Sequence, residues 1–421
     1  MRSYERPGSA VTLVEARDQL LASLTQLQPR FAALDECLGC VLAESVVANE
    51  DVPSFASAAV DGFAVRAEDT EVTPIRLRLA GRVTAGGMNH EMAEPGTAIA
   101  IATGAPVPDG TNAVCMVEHS FIDGNEVVLD APVSPGANIR FPGEDVVRGS
   151  IVFQQRSVIR SSHIGVLTSL GFSGIKVYPK VRVGVLTTGD ELQTEPGPLA
   201  QGHIHDSNRH SLLAAVAESG NLPVDLGVVG DDATLIAHAI EAGLGICDVI
   251  FTTGGVSVGA ADHMKTVLSN LSAPSIRWME IAIKPAKPFG FAILPSGLPV
   301  ICMPGNPVAA LVSFELLGRP ALRHMAGHRI LSRPVVLAIA EDELPRKPDG
   351  KLHFVRVILR IDKEGNLRAR LSGPQGPHQL RSMALANGLA VLPDGEGVGA
   401  GQRMHVMITD YDDLQGSGSW T

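Results

Sequence analysis

Apolar residues recur at helical spacing only in short stretches of this chain, and β-branched runs separate those stretches. Leu13, Ala16, Leu20, Leu24 and Leu27 share one face of a helix expected over 12–28, opened by the capping box Thr12-Leu-Val-Glu15. Residues 40–48, CVLAESVVA, read as a strand. A further strand begins near Phe63, after a loop rich in Pro, Ser and Asp-Gly. Residues 72–147 alternate runs such as IRLRLAGRV, AIAIATGAPVP, AVCMVEHS and EVVLDAPV with glycine and proline, which predicts a small all-β insertion. One helical piece, SSHIGVLTSLGF, lies in 150–178, where the chain rejoins the element it left near residue 48.

From Lys180 the pattern changes to alternating strand-like and helix-like runs, the signature of βαβ units and a mainly parallel sheet. Strands are expected at 181–186, 223–229, 248–251, 278–283 and 298–303. Asp206-Ser207-Asn208 caps the helix RHSLLAAVAES, and Asn306 with Pro307 opens VAALVSFELL. A boundary is expected within 318–334, and the short strands of 335–411 predict a small β-sandwich or barrel. The expected fold class is multidomain α/β plus β. A discontinuous linking domain takes 1–48 and 148–179, a β-rich lobe 49–147, a central α/β domain 180–326 and a C-terminal β domain 327–421.

Composition narrows the chemistry. A net charge of −11 argues against a nucleic-acid surface or an anionic membrane, and 4% aromatic residues offer little for stacking single-stranded nucleic acid. No run of about 18 apolar residues occurs, and the charged N-terminus MRSYERPGSAVTLVEARDQL has no signal-peptide core. Cys37-Leu-Gly-Cys40 is a CxxC without a second pair or spaced histidines to complete a zinc site. The odd number and sparse spacing of the five cysteines suit a reducing cytosol, so a cytoplasmic protein is expected.

Ligands of open parallel sheets bind outside the carboxyl ends of the strands. Five loops leave strands there: TTGDEL (187–192), GDD (230–232), TTGGVSVGAAD (252–262), KPAKP (284–288) and PGNP (304–307). The third is rich in glycine, so its backbone N–H groups could approach an anion. Taken alone, it reads equally as a phosphate cradle or as a strand–turn–helix connection. Together the five loops would gather Glu191, Asp231, Asp262, Lys284 and Lys287 on one edge. Carboxylates there would repel an anionic substrate unless a cation lay between, and Mg²⁺ takes one or two carboxylates plus phosphate oxygens. The lysines would neutralise the remaining oxyanion charge. The residues by themselves imply Mg²⁺-assisted chemistry on a phosphorylated or nucleotidylated anion. Locally, Asp61 and Asp145 read as turn acids.

In this order and spacing, TTGDEL, DSN, TTGGVSVGAAD, KPAKP and PGNP resemble the motifs of the molybdopterin molybdenumtransferases, which are similar to the E domain of gephyrin. AVDGFAVR, IATGAPVPDGTNAVCMVE and FPGEDV extend the resemblance over nearly the whole chain. It implies a Mg²⁺-dependent enzyme that hydrolyses adenylylated molybdopterin, releases AMP and inserts molybdenum, with molybdate as co-substrate. It places the acids of the family on Asp61, Asp145, Glu191, Asp231 and Asp262, of which Glu191, Asp231 and Asp262 would hold the metal. Substrate contacts would fall on Thr188, Gly189, Gly254, Gly255, Ser257, Gly259, Lys284, Lys287, Pro304, Gly305, Asn306 and Arg356. The resemblance also implies a homodimer. Because Asp61 and Asp145 lie far in sequence from the α/β segment, one protomer's lobe is expected to complete the other's cleft. Other proteins of molybdenum cofactor synthesis are expected partners; nucleic acid and membranes are not. A molybdopterin adenylyltransferase-like step and a gephyrin-like scaffold are the rival readings. The chain departs from the pattern at Ala58, Phe63, Glu280, Ala286, Pro374 and Pro377, where Ser, Tyr, Lys, Gly and small hydroxyl residues are usual.

Overall fold

Six segments of the α/β region pair into one sheet, in the order Leu222–Val229, Arg182–Thr188, Val249–Thr253, Pro299–Met303, Pro288–Ile293, Ser275–Glu280. The structure, a computed structural model, describes residues 10–87, 92–194, 197–255, 263–271, 273–412 and 414–416. The chain divides into two units: Met1–Arg30, Gly39–Val41 and Tyr178–Thr421 form one, Phe31–Leu38 and Leu42–Val177 the other.

In the first unit the first three pairings of the sheet are parallel and the last two antiparallel, so that Pro288–Ile293 alone runs against the other five strands. Alternation along the strands feeds two cores. Val183, Val185, Phe251, Ile301 and Met303 face Leu212, Val216, Val308 and Val312. Leu186, Ile250, Val300 and Cys302 face Ile236, Ile240, Met264 and Leu268. Val249–Thr253 and Pro299–Met303 are covered on both faces and buried at every position, which is why they are largely apolar, with Thr252 and Thr253 as buried exceptions. Each large side chain so buried stabilises the fold by roughly 1.5–3 kcal/mol.

Several expectations shift. Pro288–Ile293, unanticipated as a strand, makes an antiparallel hairpin with Ser275–Glu280, so the loop that KPAKP forms is a hairpin turn. The first helix keeps its capping box but ends at Ala22, with Ser23 as C-cap. Its Ala16 and Leu20 pack with Leu322 and Met325, which places it in the first unit rather than with residues 148–179. The helix Pro307–Ser313 continues through a wider π turn, Phe314–Gly318, into Arg319–Met325. This continuous helical run ends at Met325, inside the stretch 318–334.

The C-terminal strands Val335–Ala340, Leu352–Ile361, Leu367–Leu371, Gly388–Leu392 and Arg403–Ile408 form a closed five-stranded barrel, not a sandwich. Leu352–Ile361 closes it by pairing with both Leu367–Leu371 and Gly388–Leu392. Beyond that closure, Ile283 and Lys284 pair in parallel with Leu352 and His353, joining the hairpin turn to the barrel.

The second unit is built on a six-stranded sheet, in the order Ala113–Met116, Gly62–Val65, Thr97–Ile101, Ile75–Val83, Glu126–Leu129, Ser120–Asp123. The strand expected over 40–48 is two short pieces, Val41–Leu42 and Val46–Val47. Gly62 lies between Ile101 and Met116 in the sheet, where a Cβ would sit 1.9 Å from the Cys115 carbonyl oxygen. No rotamer change relieves a clash with backbone. Gly62→Ala is expected to destabilise this unit by about 2–3 kcal/mol, read as a lowered denaturant midpoint in chemical unfolding.

Candidate active site

The site is assembled where the parallel strands end. At the end of Arg182–Thr188, the Gly189 N–H donates to the Val229 carbonyl at 3.1 Å, tying the first loop to the neighbouring strand. Asp190 Oδ1 accepts from the Asp231 N–H at 2.9 Å, so this acid binds the first loop to the second. The same loops present Glu191 and Asp231, neither with an ion-pair partner among the described residues. A Cβ on Gly189 would lie 2.5 Å from Glu191 Oε2, so the Glu191 carboxylate folds back over its own loop.

The third loop begins with Gly254 and Gly255, at φ +89° and +64°. A Cβ on Gly254 would lie 2.2 Å from the Thr188 carbonyl oxygen, and one on Gly305 3.6 Å from the Gly254 Cα. These approaches bring the TTGDEL, TTGG and PGNP loops together. Ser257, Gly259 and Asp262 lie outside the described residues. Asn208, expected only as part of a cap, donates from Nδ2 to the Gly305 carbonyl at 2.6 Å. Its Oδ1 and the Thr188 hydroxyl are buried without a partner among the described residues. The signal that could have singled out Asn208 is its place in the DSN motif.

On the same edge, the hairpin turn, Pro304 and Asn306 line a cleft of about 810 Å³ against the barrel. Lys284 and Lys287 both line it and are exposed. Between them Ala286 adopts φ +78°, a left-handed conformation that costs a side-chain-bearing residue about 1–2 kcal/mol. Lys287 Nζ is 2.9 Å from Glu280 Oε2, across the base of the hairpin. Arg356 is fully buried, and its guanidinium donates to the Pro374 and Gly376 carbonyls and to Ser382 Oγ. It pins the 374–382 loop instead of reaching into the cleft.

Asp61 and Asp145 belong to the second unit. Their loops lie side by side there, through the pairs Ile139↔Ala58, Arg140↔Ser57 and Val52↔Val146. Asp61 Oδ1 accepts from the Thr103 N–H at 2.7 Å and from its hydroxyl at 3.0 Å. The N–H first and the hydroxyl second hold this carboxyl below the usual carboxylate range. Asp145 is exposed, and its own N–H donates to the Val52 carbonyl.

Among the described residues no three His, Cys, Asp or Glu side chains cluster as a metal cage. Two open carboxylates at the end of a parallel sheet still fit Mg²⁺, which keeps most of its ligands as water and phosphate oxygens. The cleft offers ammonium groups for anionic oxygen, and the glycine loops offer backbone N–H groups.

Three family descriptions match consecutive parts of the chain. They are the MoeA N-terminal region (domains I and II) over residues 11–171, a probable molybdopterin binding domain over 184–324 and the MoeA C-terminal region (domain IV) over 338–408. A Haemophilus influenzae protein named molybdopterin molybdenumtransferase is 34% identical over 411 residues, covering 96% of this chain and 100% of its own. A Mycobacterium tuberculosis protein named molybdopterin molybdenumtransferase 2 is 35% identical over 408 residues, covering 93% and 98%. A molybdopterin biosynthesis moeA protein from Pyrococcus horikoshii, solved by crystallography, matches with a TM-score of 0.77 at 30% identity, covering 95% of this chain and 100% of that one.

The Gly254–Thr188 contact can be tested without any ligand. Gly254→Ala would add a methyl group against a carbonyl oxygen in a left-handed conformation. It is expected to lower stability by about 2–4 kcal/mol in denaturant unfolding of the full chain.

Proposed function

The chain belongs to the molybdopterin molybdenumtransferase family, the transferases of molybdenum cofactor biosynthesis, and on that premise we propose that it acts on adenylylated molybdopterin with molybdate, releasing AMP. The observation that carries the proposal is the meeting of two open acids, a glycine-lined backbone contact and two lysines on one edge of the sheet. The pterin ligand takes the glycine loops, with the unpartnered Thr188 hydroxyl and Asn208 Oδ1 available to its polar atoms. Lys284 and Lys287 hold oxyanion oxygens in the cleft. Glu191, Asp231 and, on the resemblance, Asp262 would hold Mg²⁺, which would supply charge neutralisation at the phosphate oxygens. Pro304, Gly305 and Asn306 form the wall between the loops and the cleft.

The same reading makes the protein a cytoplasmic homodimer of four-domain protomers, working beside other enzymes of cofactor synthesis. Among the described residues no helix is long and apolar enough to cross a membrane. In the dimer, Asp61 and Asp145 of one protomer complete the cleft of the other.

Incubation with adenylylated molybdopterin, molybdate and Mg²⁺ tests the chemistry. Asp231→Asn and Glu191→Gln are expected to lower AMP release by about 100-fold or more while leaving the thermal midpoint in place. Unchanged release by both variants refutes the assignment of these acids. Shared sites make a separate prediction: Asp61→Asn and Asp231→Asn proteins, each inactive alone, regain AMP release when mixed and allowed to exchange subunits. Mixtures as inactive as their components would show that each protomer carries its own complete site.

A further inference from the structure

We propose that Glu280 is a counter-charge that sets how tightly the lysine pair binds a tetrahedral oxyanion, so that binding displaces an ion pair instead of filling a bare cationic site. This rests on the oxyanion reading of the cleft. Glu280 Oε2 and Lys287 Nζ are 2.9 Å apart, with side chains 36% and 47% exposed, so the pair is open to an incoming anion.

Backbone contacts fix the pair on both sides. The Glu280 carbonyl accepts from the Val11 N–H at 2.8 Å, and the Lys287 carbonyl accepts from the Ile281 N–H at 2.7 Å. Glu280 stands opposite Pro288 in the hairpin register, which brings its carboxylate beside Lys287 rather than Lys284. Lys284 has no carboxylate partner among the described residues.

The other cations lining the cleft are largely committed elsewhere. Arg346 donates to the Lys351, Leu392 and Pro393 carbonyls and to Asp349 and Asp394. Lys351 lies 3.5 Å from Asp349. Burial holds His353 below its usual value against the pull of Asp349, so it is neutral at neutral pH. Lys284, Lys287 and the exposed Lys347 are left to attract an anion, and one carboxylate offsets one of the three. An oxyanion reaching Lys287 has to compete with Glu280, and its affinity falls accordingly. The oxyanion chemistry has two sources, free molybdate or a phosphate carried by the pterin ligand.

Titration calorimetry on the full chain and its Glu280→Gln, Lys287→Gln and doubly substituted forms decides the matter, with inorganic molybdate in one arm and AMP in the other. At an ionic strength of about 0.01 M, Glu280→Gln is expected to bind roughly 3- to 10-fold more tightly, and the gain shrinks at about 0.15 M. On the Lys287→Gln background the gain disappears, a coupling that a merely structural role for Glu280 would not produce. A gain with molybdate identifies the free anion as the competitor, and a gain with AMP alone identifies the ligand's phosphate. Equal affinities of the unsubstituted and Glu280→Gln proteins, with Lys287→Gln weaker than both, overturn the role of Glu280 and leave the oxyanion reading standing. So does a gain that persists without Lys287. Failure of all these forms to bind either anion overturns both.

Discussion

Two backbones meeting with no side chain between them hold this sheet edge together. Gly254 approaches the Thr188 carbonyl so closely that a methyl group has no room, and its left-handed φ turns the chain away immediately after the strand. Gly305 joins the same contact from the next strand, and Asn208 clamps its carbonyl from the helix Asn208–Glu218. Three loops that begin on different strands thereby become one surface. Main-chain N–H groups can reach a ligand there because nothing projects from the glycines.

Around that contact the charged groups divide into those that hold loops in place and those left open. Asp190 is engaged by the Asp231 N–H, and Arg356 by the carbonyls and hydroxyl of its own loop. A buried guanidinium must find such partners, since an unpaired one is expensive. Glu191, Asp231 and Lys284 remain open. Lys287 is intermediate, paired yet accessible.

Much of this was legible in the sequence for a simple reason. Strands covered on both faces are largely apolar, so 181–186, 248–251 and 298–303 stand out, and the Thr12 and Asn306 N-caps sit at the expected helix starts. Where the periodicity is short, it fails. PFGFAI is six residues after a Lys-Pro turn, and its strand character depends on pairing with Ser275–Glu280 and Pro299–Met303, which no local pattern reports. Gly290 within it is required because a Cβ would lie 2.2 Å from the Trp278 ring across the hairpin. Closure of the barrel depends on the long-range pairing of Leu352–Ile361 with Gly388–Leu392, so the local pattern alone fits a barrel and a sandwich equally. Arg356 matched a basic motif position, but its side-chain direction is set by the 374–382 loop, which spacing alone does not reveal. The Glu280–Lys287 pair has the same origin, since the hairpin register brings together residues whose separation in sequence carries no helical or strand meaning.

The pairing of Ile283 and Lys284 with Leu352 and His353 bears on how such a cleft withstands mutational drift. The lysines ride on a turn stitched to the sheet on one side and to the barrel on the other, largely by main-chain bonds. Main-chain bonds survive most side-chain replacements, so the address of each lysine is inherited with the backbone. Evolution can then rewrite the neighbouring side chains, as a carboxylate at 280 or a methyl group at 286, and retune the electrostatics without having to rebuild the scaffold.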